Sequence, residues 1–167
     1  MCIRDRKYAD PVYRLIDKVL LTSKDTRLTK SLIQWRMNAM GIRKFYYESK
    51  IQKDYKLEEL YKEQCQIALK YKEYESYTNT VILLADFYSR KGEMLKKLNC
   101  FQEGYETTKN AKYYRGVSRM LVQLAFFYAE NNDTTSAIDY INKGAENEKL
   151  INDESRNSWI ASLLTLG

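Results

Sequence analysis

A leucine followed by a small residue recurs three times in the C-terminal half of this 167-residue chain, as Leu84-Ala85, Leu124-Ala125 and Leu166-Gly167. The spacings are 40 and 42 residues, and the preceding residues match as well: Val81-Ile82-Leu83, Leu121-Val122-Gln123 and Leu163-Leu164-Thr165. A register kept over three copies means stacked units that each expose an apolar face needing a neighbour, which restricts the fold to a repeat architecture.

Each unit reads as two helices. Segment 76–91 places Val81, Leu84, Ala85 and Tyr88 at i, i+3, i+4 and i+7, one face of a helix, and Gly92 follows where the helix should stop. Segment 93–111 carries a second stripe of Met94, Leu98, Phe101 and Gly104/Tyr105. So short a turn between two amphipathic helices predicts antiparallel packing, an α-hairpin. Segment 115–130 repeats the first helix with Leu121, Leu124, Ala125 and Tyr128, and Asp133 with Thr134 supplies an N-cap for the next. Segment 134–151 then turns Ala137, Ile138, Ile141, Gly144 and Leu150 to one side, and a third copy opens at 153–167.

Upstream, the pattern predicts a second hairpin helix over 55–74, with Leu57, Leu60/Tyr61, Gln64, Ile67/Ala68 and Tyr71 on its face. Its partner is expected from about Thr29 to Lys50, around Trp35, Met37, Ala39, Phe45 and Tyr46, with Lys53-Asp54 as the turn. Segment 10–22, started by Asp10-Pro11, carries Val12, Leu15, Ile16, Val19 and Leu20.

The residues of repeats 76–112 and 115–151 resemble the tetratricopeptide pattern of leucine, small residue and tyrosine on one helix, then small and aromatic residues on the next. Leu84, Ala85, Tyr88, Gly92, Phe101 and Gly104 fall at the family's spacings, as do Leu124, Ala125, Tyr128, Asp133, Ala137, Ile141 and Gly144. The resemblance covers 77–167 well and 10–76 loosely. It implies an all-α fold, an α-solenoid of antiparallel helix hairpins wound as a right-handed superhelix, with degenerate hairpins over 7–75 and clear ones from 76. Ala85 against Gly104 is expected to let two backbones approach, with Tyr88 and Phe101 filling the space between hairpins. Lys97 departs from the pattern, standing where the family prefers alanine. The 40–42-residue period exceeds the usual 34, so each helix is longer by roughly three residues, or about 4.5 Å. Long repeats of this kind resemble those of bacterial regulatory and sensor proteins, which implies a protein- or peptide-binding scaffold in the cytoplasm. Met1-Cys2-Ile3-Arg4-Asp5-Arg6 resembles the translation of a transposase adapter used in preparing sequencing libraries, so residues 1–6 are set aside and a fragment cut at both ends is expected. An extracytoplasmic location would follow if a signal sequence were lost with the true N-terminus.

In such arrays the first helix of each hairpin lines the inner surface. The residues of those helices pointing away from the core stripe are Asn79, Asp86 and Arg90, then Arg119, Gln123, Phe126 and Glu130, the candidate partner-binding set. The lysine and asparagine with which some relatives hold a peptide's C-terminal carboxylate are missing. Ile82 and Asp86, then Arg119 and Phe126, stand at those positions, so a peptide ending in EEVD is not expected to bind.

Enzymatic and cofactor readings find no footing. The chain has no histidine, the commonest general base and metal ligand, and no glycine-rich phosphate loop. Cys65 and Cys100 sit on apolar stripes as reduced core residues, without ligand spacing. No catalytic, cofactor or metal site is expected, and no window is apolar enough to span a bilayer. The net charge of +6 lies wholly before Tyr77, since eleven Lys/Arg meet eleven acids after it. A nucleic-acid-binding module built on that basic half is the rival reading, but its cations alternate with acids rather than forming one stripe. Self-association through exposed end repeats is a further expectation.

Overall fold

The computed structural model describes residues 54–151 without a break, and before them the helical positions 15, 16, 18–20, 22, 27, 28 and 31–33. The chain forms two compact units, Met1–Gln64 and Cys65–Gly167. In the first, Ile16, Leu20 and Ile33 are buried, whereas Leu15, expected on the same stripe, is 61% exposed. Leu15 lies about 100° around a helix from Ile16, so one face cannot hold both at its centre. The helix expected from Thr29 to Lys50, including Trp35, lies outside the described residues except at 31–33, and so do the third copy at 153–167 and residues 1–6.

All regular structure among the described residues is helical. Five helices follow one another: α1 Asp54–Lys70, α2 Tyr74–Arg90, α3 Met94–Asn110, α4 Tyr114–Glu130 and α5 Thr134–Glu148. The first four have 17 residues each, and a three-residue turn follows each of them. A helix therefore starts every twentieth residue, and a hairpin repeats every fortieth.

One turn geometry is used four times. The middle residue is left-handed each time: Lys72 at φ 58°, Gly92 at 72°, Lys112 at 55° and Asn132 at 60°. Its N–H and that of the next residue reach back to two helix carbonyls at 2.8 to 3.1 Å: Lys72 to Leu69 and Glu73 to Ala68, Gly92 to Ser89 and Glu93 to Tyr88, Lys112 to Lys109 and Tyr113 to Thr108, Asn132 to Ala129 and Asp133 to Tyr128. This is the Schellman closure, which satisfies carbonyls that a helix end leaves bare. The residue that completes it is also the N-cap of the next helix, its own carbonyl accepting the first helical bond, as from Tyr77 to Glu73 and from Ala137 to Asp133.

Gly92 and the expected turn at Asn131-Asn132-Asp133 announce such turns in the sequence, whereas Lys72 and Lys112 do not. The helix expected over 55–74 in fact ends at Lys70, and Tyr71, assigned to its apolar face, lies in the turn. Lys72 adopts φ 58° without glycine's freedom, so nothing local marks the break. Likewise Asp54, expected in a turn, already belongs to α1. The Asp133 cap matches expectation: its carboxylate accepts from the Ser136 N–H at 3.0 Å and the Ser136 hydroxyl at 2.7 Å.

Neighbouring helices run antiparallel. Tyr128, late in α4, stacks on Tyr140, early in α5, with centroids 5.4 Å apart. At the other end Asn147 donates to Tyr114 O at 2.8 Å and to Ser118 Oγ at 2.7 Å, and Ser118 donates to Glu148 at 2.5 Å. On α5, Ala137 and Gly144 are buried as expected, but Ile138 is 52% and Leu150 56% exposed, correcting the stripe assigned to them. Ile138 is turned about 100° from Ala137, and Leu150 lies beyond the end of α5.

Two glycines set the approach of the helices. A methyl group on Gly104 would stand 2.6 Å from Met120 Sδ and 3.0 Å from Val81 Cγ1, so it is Met120 of α4, fully buried, that fills the space first assigned to Ala85. On Gly116 it would stand 2.5 Å from Tyr113 Cδ1, 2.8 Å from Thr108 Cγ2 and 2.9 Å from Thr78 Oγ1. Thr78 and Thr108 are themselves fully buried and spend their hydroxyls on Tyr74 O and Gly104 O. Three helices thus meet at Gly116. Tyr88 and Phe101 are buried in the interior, as expected.

Lys112→Gly relieves a left-handed lysine and should raise stability by about 0.5–1 kcal/mol in urea unfolding, while Gly92→Ala should lower it by about 1–2 kcal/mol. Gly116→Val overpacks a site of fixed threonines and should cost about 1–3 kcal/mol by the same measurement. The Ser136 bonds, backbone first, hold the Asp133 carboxyl below its ordinary 3.8. The cap therefore contributes fully above pH 3.8 and is lost as pH falls through the lower folded-state value. Acid titration of helicity should show a shallower loss for Asp133→Asn than for the parent chain.

Candidate functional site

Helices α2 and α4 lie side by side and parallel, one hairpin apart. Arg119 Nη1 donates to Asn79 Oδ1 at 2.5 Å, a contact between residues 40 apart that hold the same position in their helices. Next to it the Tyr74 and Tyr113 rings stack with centroids 6.1 Å apart. Burial raises the Tyr113 hydroxyl above its ordinary value of 10.0, and Glu75 adds to this, while Arg115 and Arg119 pull the other way. One acid and two arginines thus surround the start of α4.

The core face of α2 is made by Tyr77, Val81, Leu84, Ala85 and Tyr88, and that of α4 by Val117, Leu121, Leu124 and Ala125. The expected partner-binding residues all fall on the opposite arc. Asn79, Asp86 and Arg90 are exposed on α2, and Arg119 and Glu130 on α4, with Gln123 and Phe126 half-buried between them. They pair by position across the two helices: Asn79 with Arg119, Asp86 with Phe126, Arg90 with Glu130. Of these pairs the structure joins Asn79 to Arg119 directly. Seven residues separate Arg119 from Phe126, about 10.5 Å along the axis. The middle of the arc is mixed, with Ile82, Leu83, Val122 and Phe126 half-buried beside Gln123 and the exposed Asp86. Val122 packs at the border of the Val117–Leu121 core cluster, which also takes Tyr105 and Tyr140.

Glu130 is tied to the neighbouring hairpin. Its carboxylate lies 3.3 Å from Lys97 Nζ, and that ammonium also stands over the Phe127 ring at 5.7 Å from the centroid. The Lys97 side chain is only 13% exposed. Sequence reasoning marked Lys97 as a misfit in an alanine position. The structure shows its stem covering the α3–α4 seam while its charge reaches Glu130.

Cys65 and Cys100 are half-buried thiols that are not joined in a disulfide. Burial pushes the Cys65 thiol up to about 12, with further upward pushes from Cys100 and Glu103, which suits a packed thiol rather than a nucleophile. Among the described residues no three side chains of His, Cys, Asp or Glu gather as a metal site, and no helix is long and apolar enough to cross a membrane. Comparison with protein-family models, curated proteins and solved structures finds no match.

Because Glu130 is 59% exposed, its bond to Lys97 is screened by water. A double-mutant cycle over Lys97→Met and Glu130→Gln, read by urea unfolding, should give a coupling of about 0.5–1 kcal/mol.

Proposed function

We propose that this chain is a tetratricopeptide-type helical array that binds a protein or peptide on the arc of its first helices, α2 and α4, that lies opposite their core faces. The observation that carries the reading is the Asn79–Arg119 contact. It joins two first helices that stand in register, one hairpin apart, and so links residues that one helix alone could not supply. In support, that surface carries half-buried apolar residues, Phe126 among them, beside the polar Asn79, Asp86, Arg119, Gln123 and Glu130. Interfaces commonly combine an apolar centre carrying an aromatic residue with a charged rim, and arginine is over-represented in them. The solenoid form, and the setting within a bacterial regulatory or sensory protein, belong to the same proposal and rest on the resemblance of the repeats.

A nucleic-acid reading has less support. It rests on the basic half before Tyr77, whose cations alternate with acids along the sequence and form no single stripe.

Selection of a displayed random-peptide library on the immobilised chain tests the proposal. Phe126→Ala and Arg119→Glu should each weaken a selected peptide at least tenfold while the helical circular dichroism stays unchanged. Binding that both variants retain in full, or selection of no peptide, would overturn it. Shifts of single-stranded nucleic acid with steep salt dependence would favour the rival instead.

A further inference from the structure

We draw no further inference here: the strongest candidate, the stripe of Ile138, Ile141 and Ala145 on α5, at positions that Leu98, Phe101 and Tyr105 hold on α3, is more open than its α3 counterpart, but nothing in the structure shows what covers it.

Discussion

The packing of α2 to α5 depends on one backbone event, a left-handed residue placed two positions before the next helix begins. It reverses the chain, satisfies two carbonyls of the finished helix and leaves the following residue ready to start another. Repeated at 72, 92, 112 and 132, it keeps helix and turn lengths constant. Constant lengths bring the same helix position to the same place in each hairpin. The Asn79–Arg119 bond is a result of that regularity as much as of the two side chains.

Packing between the helices follows from size rather than from specific bonds. Gly104 and Gly116 take the closest approaches, and the fully buried Thr78 and Thr108 return their hydroxyls to their own helices, so the crowded interior leaves those groups satisfied. The α4–α5 pair adds a directional link. There Ser118, Asn147 and Glu148 form a hydrogen-bonded link between the start of one helix and the end of the next. A side chain–side chain link of this kind fixes the relative height of two helices more strictly than apolar contact does, because its geometry is directional.

Much of this was legible in the sequence. The Leu-small pairs located α2 and α4, and the i, i+3, i+4, i+7 pattern identified their buried faces and hence the opposite arc. Two kinds of feature were not legible. A lysine that turns left-handed resembles a lysine on a helix surface, so the pattern runs four residues past the end of α1 at Lys70. Contacts between hairpins depend on which side chain arrives opposite a gap. Met120 filling the space at Gly104, and Lys97 spanning to Glu130, become visible only when two helices are placed together. Ile138 shows a third limit: an apolar residue at the edge of a stripe can be exposed, because periodicity marks a face but not its width.

The contact of equal positions also determines how change would spread over the candidate surface. Asn79 meets Arg119 across the whole of α3 in the sequence, so a substitution at Asn79 also removes a partner from the next first helix. The arc therefore has a grammar of its own. Its neighbours are forty residues apart, and its composition can drift while the second helices keep the spacing that holds it together.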